Sequence, residues 1–248
     1  MKTIQIIIIF FGFFCSQLFA FEITNVEFFS RAFDLKTGKF LYTEKHKEVW
    51  KSGIQISSEV SYLDSEGKLI AQKKLDFTKN SITPEFEYFD KRTGYFESIA
   101  FSSQGTELKF KESSDSPMKM TLLPKEKSFV ADAGFDNYIR KNWDKILKGE
   151  TLRTNFAVPE HLDYYRFIIT KEGIVKRNNF NYLKMKIAPE NPILRLITTG
   201  IDLEYSLETR RLETYEGITN VNDAMGKKFR AKIKFEYPNG RPGNGENK

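Results

Sequence analysis

Ile54-Gln55-Ile56-Ser57-Ser58-Glu59-Val60-Ser61-Tyr62-Leu63-Asp64-Ser65-Glu66-Gly67-Lys68-Leu69-Ile70-Ala71-Gln72-Lys73-Lys74-Leu75-Asp76-Phe77 alternates apolar with polar residues on both sides of a turn. Ile54, Ile56, Val60 and Tyr62 alternate with Gln55, Ser57, Glu59 and Ser61. Asp64-Ser65-Glu66-Gly67 carries turn chemistry, after which Leu69, Ala71, Leu75 and Phe77 oppose Gln72, Lys74 and Asp76. Successive side chains of a strand point to opposite faces, so this spacing predicts a hairpin with one buried face.

The same rhythm runs outward from it. Phe86 and Tyr88 lead into the turn Asp90–Gly94, then Tyr95, Ile99 and Phe101. Ser103-Gln104-Gly105 turns the chain into Leu108 and Phe110, and Met118, Met120 and Leu122 form a further short strand. Beyond the middle of the chain, Leu152, Phe156 and Val158 alternate, Tyr164 to Thr170 reads as a strand ending at a Gly173 turn, and Leu183, Met185 and Ile187 alternate again. Asn191-Pro192 has the signature of a short helix start. Ile201, Leu203 and Tyr205, then Leu212 to Tyr215, form a pair across Glu208-Thr209. The last strand sets Phe229, Ala231, Ile233 and Phe235 against Lys228, Arg230, Lys232 and Lys234.

One segment departs from period two. Phe135, Tyr138, Ile139, Trp143, Ile146 and Leu147 occupy one face of an α-helix. Asp132 suits its N-cap and Gly149 its close. The expected fold is mainly β (α+β): a single curved antiparallel sheet or half-barrel of about ten strands enclosing one amphipathic helix. A twisted sheet of that width must curl or close.

The chain has 248 residues, a net charge of +6 and one cysteine. Lys2, the apolar run Ile4–Phe14 and the small residue Ala20 read as a secretory signal over residues 1–20, too short to span a bilayer. Residues 21–237 are expected to form a single β-rich domain, and residues 238–248 a disordered tail. Cys15 lies in the signal, preceded by Phe13 and Phe14 where a lipoprotein would need small residues, so the mature chain is expected to lack any thiol. The expected location is exported, periplasmic or extracellular. The positive excess is too small to imply nucleic acid, and no later stretch has transmembrane length.

Ala133-Gly134-Phe135-Asp136-Asn137-Tyr138-Ile139-Arg140-Lys141-Asn142-Trp143, Val158–Phe167 and Tyr215–Val221, in this order after a signal and a β-rich half, resemble an uncharacterised family of bacterial envelope proteins. That family has no assigned activity, so the resemblance implies a location and a size. A looser, fold-level likeness is to the half-barrels that carry lipoproteins or lipids across the periplasm, and a fold alone does not give function.

The patterns of catalysis are sparse. His46 and His161 are far apart and belong to no metal motif, so they read as surface or loop residues, and no metal or cofactor is expected. No G-x-S-x-G elbow is present, and no catalytic residue is assigned. Glu85 and Glu87 share a strand face, as a carboxylate-based hydrolase would need, but a solvated outer face explains them as well. The row Lys228, Arg230, Lys232 and Lys234 suits anionic headgroups, but such a row is more often the water face of an edge strand. Asp163-Tyr164-Tyr165-Arg166 is the most unusual polar–aromatic cluster.

The expected function is that of a non-catalytic exported envelope protein that binds or carries a hydrophobic ligand, a lipid or acyl chain. Tyr138, Trp143, Phe156 and Tyr164 are its candidate cavity walls. The alternative is a structural or assembly protein that binds an envelope protein partner. An enzyme ranks third.

Overall fold

The computed structural model describes residues 22–197, 200–223 and 225–238. The expected signal peptide, and the expected tail beyond Pro238, lie outside the described residues.

The chain opens with a meander of eight strands: β1 (Ile23–Asp34), β2 (Phe40–Lys51), β3 (Ile54–Leu63), β4 (Leu69–Asp76), β5 (Glu85–Asp90), β6 (Phe96–Ser102), β7 (Gly105–Lys111) and β8 (Lys119–Leu123). The helical segments α1 (Gly134–Lys141) and α2 (Trp143–Leu147) follow. Then come β9 (Leu152–Val158), a 3-10 turn at Pro159–His161, β10 (Asp163–Arg177), β11 (Phe180–Pro189) and the short α3 (Pro192–Ile197). β12 (Ile201–Ser206), β13 (Leu212–Asn222) and β14 (Lys228–Glu236) complete it. All strands join one open antiparallel sheet of 14, in the order β8-β7-β6-β5-β4-β3-β2-β1-β14-β13-β12-β11-β10-β9. The expectation of about ten strands is therefore corrected to 14.

The largest omission is β1 and β2. The inward face of β2 carries Tyr42, Glu44, His46, Glu48 and Trp50, so polar residues occupy the positions where a sequence pattern looks for apolar ones. A smaller correction concerns β10. It runs through Gly173 with a register shift and turns at Asn178-Asn179, whose φ values of 47° and 68° are those of a tight two-residue hairpin turn.

The sheet curls on itself. Its two edges, β8 and β9, are joined by the segment that carries the helices. Val130 in that segment donates to the Asn155 carbonyl at 2.8 Å and accepts from Ala157 N–H at 2.9 Å, a short parallel bridge to β9. Across the curl, Arg92 in the β5–β6 turn donates to the Asn222 carbonyl at 2.8 Å.

The helical pair fills the concave side. Ile139, Trp143 and Ile146 are buried against Leu183 and Met185 of β11, Leu203 and Tyr205 of β12, and Leu212 of β13. Arg140 lies over the ring of Trp50 on β2, so α1 faces both walls of the curl. The expected single helix is broken at Asn142, where Nδ2 donates to the Tyr138 carbonyl at 2.9 Å. Side-chain bonding back to the i−4 carbonyl competes with the helical ladder. Both pieces keep the apolar face on one side, and Gly149 closes α2 at φ 85°.

Asp132 does not cap the helix. Its φ is 41°, and Ala133 occupies the N-cap position. Behind it, Gly134 fits only because it lacks a Cβ, which would lie 2.3 Å from the Ile82 carbonyl oxygen. Gly134→Ala should therefore lower stability by about 1–3 kcal/mol, the usual cost of overpacking a filled site, read from the urea midpoint.

Candidate functional site

The inward faces of β2, β3 and β5, with the turn into β6, carry a belt of tyrosines. Tyr42 and Tyr62 meet edge to face at 6.0 Å between ring centroids, Tyr62 and Tyr88 at 5.7 Å, and Tyr88 and Tyr95 at 5.9 Å. Among them stands a row of buried charge. Lys73 on β4 donates to Asp132 at 2.6 Å, and Asn220 on β13 donates to the same carboxylate oxygen at 2.9 Å. Asp132 thus ties opposite walls of the curl together, and this tie accompanies its left-handed backbone. Glu97 on β6 accepts from the Tyr95 hydroxyl at 3.2 Å, and Lys228 pairs with Glu160 at 2.6 Å at the rim.

Apart from Lys228, a candidate for anionic headgroups, none of these ionisable residues is a site expected from the sequence. Each nevertheless carries a readable signal. Lys73 occupies the same face as Ala71 and Leu75, and Glu97 the same face as Tyr95 and Ile99. A charge on the apolar parity of a strand must be paired when it is buried.

Electrostatics separates the carboxyls. Burial raises the Glu97 carboxyl above the usual glutamate range, against the attraction of Lys228 and Lys73. Burial also pushes on Glu44, but hydrogen bonds from His46 and Ser30 and the attraction of His46 outweigh it, so Glu44 is lowered. Burial opposes the charge on Lys73, and Asp132 overcomes it, leaving Lys73 raised. Burial raises the phenols of Tyr62 and Tyr88. The Tyr88 hydroxyl has no hydrogen-bond partner among the described residues, and that of Tyr42 faces Thr219 without closing a regular bond.

These opposite shifts predict opposite pH responses. Glu97 holds its proton more tightly folded than unfolded, so it favours the fold below the ordinary glutamate pKa of about 4.3, and that contribution is lost as pH rises through the raised value. Glu44 favours the fold above the ordinary value and loses that contribution as pH falls through the lowered one. Glu97→Gln should raise the urea midpoint at about pH 7.5 and not at about pH 4. Glu44→Gln should lower it at about pH 7.5, with the difference shrinking toward pH 3. Shifts of the same sign in both variants at neutral pH would contradict this assignment.

Ser30, Glu44 and His46 stand together, which gives the appearance of a nucleophile relay. A relay needs one ring nitrogen on the hydroxyl and the other on the acid. Here the single Nε2 lies 3.3 Å from Ser30 Oγ and 3.1 Å from Glu44 Oε2, while Ser30 donates to Glu44 at 2.5 Å. The expectation that His46 is a surface or loop residue is corrected: it lies on β2, largely buried, with its ring stacked on Phe28 at 4.3 Å. His161 is exposed, against the edge of Tyr165. Among the described residues, no group of three or more His, Cys, Asp or Glu is placed to hold a metal.

The four expected cavity residues are spread over two regions. Trp143 is buried on α2, edge-on to Tyr205 at 5.9 Å, and Tyr138 flanks the same cluster with its hydroxyl on the Arg153 carbonyl. Phe156 on β9 packs edge-on to Phe167. Tyr164 packs on Phe129, accepts a short hydrogen bond from Lys127, and lines a separate open cleft.

The basic row also differs from expectation. β14 lies between β1 and β13 in the middle of the sheet, not at an edge. Lys232 pairs with Glu216, Lys228 reaches Glu160, Lys234 lies over Phe33, and Arg230 is exposed. Glu87 is exposed, whereas Glu85 pairs with Lys79 and accepts from Phe101 N–H at 2.7 Å.

No protein-family model matches this chain, and no curated protein matches it. Among solved structures, it is similar to one described as a β-barrel-like protein of a domain of unknown function, DUF1849, from Brucella abortus. That likeness has 11% identity over 86% of this chain and 97% of the other, with a TM-score of 0.47. A likeness this distant carries no activity or ligand across, and the architecture above rests on this chain's own strand pairing. No helix among the described residues is long and apolar enough to cross a membrane.

Proposed function

We propose that this is a non-catalytic, exported protein of the cell envelope that takes a hydrophobic ligand, a lipid or acyl chain, on the concave side of its sheet. One observation carries the reading. The apolar wall of β11 to β13 is covered by the short helical element α1–α2 rather than by a second sheet. That element enters through Asp132 and leaves through Gly149, both in the left-handed region. Moving it would present Leu183, Met185, Leu203, Tyr205 and Leu212 as one apolar surface, the lining that a lipid site requires. The one-nitrogen arrangement at Ser30, Glu44 and His46 fits a binding role better than a catalytic one.

The test is native mass spectrometry of protein purified without detergent, followed by solvent extraction and lipid analysis. A reproducible bound acyl species is the expected result. An apo mass, no extractable lipid and no uptake of added fatty acid or phospholipid would sink it. A second reading, an assembly protein of the envelope, is favoured by Met118, Met120 and Leu122. They form an exposed apolar row at alternate positions, Met118 just before the edge strand β8 and Met120 and Leu122 on it. Exposed apolar rows of this kind serve protein contacts.

A further inference from the structure

Where β10 meets the end of β11, the surface opens into a cleft of 490 Å³ lined by Tyr164, Tyr165, Arg166, Glu190, Asn191 and Pro192. Its polar side is built around Glu190. Arg153 engages one carboxylate oxygen through Nε at 2.9 Å, and Arg166 the other through Nε at 3.2 Å. Both arginines are more than half exposed, and no other partner for either guanidinium is present among the described residues. Arg195 is held by the carbonyls of Pro189 at 2.6 Å and Glu190 at 2.8 Å, so its charge is oriented by dipoles and, among the described residues, is not cancelled by an acid. On the far side Lys127 lies over the Tyr164 ring, 4.6 Å from its centroid. Asp163, exposed and capping its own neighbour's N–H, is the nearest further acid along the chain.

Two guanidinium groups engage one carboxylate and a third is anchored on the backbone carbonyl of the same residue, so about two positive charges stand unmatched beside the cleft, and Lys127 with Asp163 adds none. Guanidinium groups present rigid forks of N–H donors that match the oxygens of a phosphoryl group. A dianion balances the excess, whereas a single carboxylate would leave half of it. The tyrosine walls would take the carbon skeleton that bears the anion.

We infer that this cleft is a binding site for a phosphomonoester, in which the phosphoryl oxygens take the free N–H groups of Arg153, Arg166 and Arg195. Glu190 spaces the arginines and also competes with the ligand for them. The cleft lies outside the apolar cluster beneath α1–α2, and it stands or falls independently of the lipid reading. The phosphoryl group itself is what is recognised, on a soluble molecule or on a lipid headgroup.

The experiment is isothermal titration of the folded protein with glycerol 3-phosphate, using glycerol as the neutral control. A parallel arm uses phosphatidylcholine vesicles with and without phosphatidic acid. Glycerol 3-phosphate should bind and glycerol should not. Arg166→Gln, at an exposed position, should weaken binding at least about tenfold, the scale of one charge-assisted hydrogen bond, and Arg153→Gln gives an independent second variant. Glu190→Gln should tighten it by about threefold or more, a change of sign that a merely structural carboxylate would not produce. Lys234→Gln on β14 should leave it unchanged. Binding only to phosphatidic acid vesicles assigns the source as a lipid headgroup, and binding in both arms assigns the free group as sufficient. No binding in either arm, or equal affinity in the wild type, Arg166→Gln and Glu190→Gln, would overturn the site.

Discussion

Lys73→Met should cost the fold about 3–5 kcal/mol, because it strands Asp132 as an unpaired buried carboxylate. Both side chains of the pair are less than one-tenth exposed, and their 2.6 Å contact joins β4 to the segment that launches α1. An ammonium and a carboxylate withdrawn from water are tolerable only together. The penalty of the single variant is chiefly the charge it leaves behind. Asp132→Asn in the same protein removes that charge, keeps an acceptor for Asn220, and tolerates the left-handed backbone, which asparagine visits more readily than most residues. The double variant should therefore recover much of the loss. Urea unfolding of the two single variants and the double gives the coupling energy directly. Additive losses would show that the pair does not act as a unit.

Trp143→Ala should cost about 3–5 kcal/mol, the usual range for an aromatic removed from a core. The indole is 2% exposed and meets Tyr205 edge-on, between Ile139 and Ile146. Its loss leaves a mainly apolar void beneath the helical cover, bordered by Ile139, Ile146 and the ring of Tyr205. If the concave face takes an acyl chain, that void should add affinity. Lauric acid should then raise the melting temperature of Trp143→Ala more than that of the wild type, since a ligand that binds only the folded state stabilises it by mass action. Equal or absent shifts in both proteins would count against the lipid reading while leaving the packing argument intact.

The sheet was legible because most of its strands bury apolar residues at every second position, and the helix because six apolar residues follow its period. Legibility failed where polar residues were buried. β2 was invisible because Glu44, His46 and Glu48 occupy its inward face between Tyr42 and Trp50. Lys73 and Glu97 are hidden for the same reason, and Asp132 reads as a helix cap rather than as a buried partner. Periodicity counts an inward charge as noise, although its partner, 59 residues away for Lys73 and Asp132, makes burial tolerable. The break at Asn142 depends on one side-chain amide turning back on Tyr138, which no pattern of hydrophobicity encodes. The cleft at Glu190 was half legible. Asp163-Tyr164-Tyr165-Arg166 stood out by composition, but Arg153, Glu190 and Arg195 reach it from other elements, and only the register of β9, β10 and β11 brings them together.

The pairing of β1 with β14 in the middle of the sheet sets the order in which this protein can be made. Until the last strand is delivered, β1 presents a free row of backbone groups beside an apolar inner face, an invitation to pair with another chain. The contact of Ser30 with Phe235 closes nearly the whole described chain into one ring. Contacts that distant in sequence form late and slowly. A molecule emerging strand by strand therefore stays unfinished, and open to chaperones and proteases, until its final hairpin arrives. Deleting β14 should leave two sticky half-sheets rather than a slightly smaller version of the same protein.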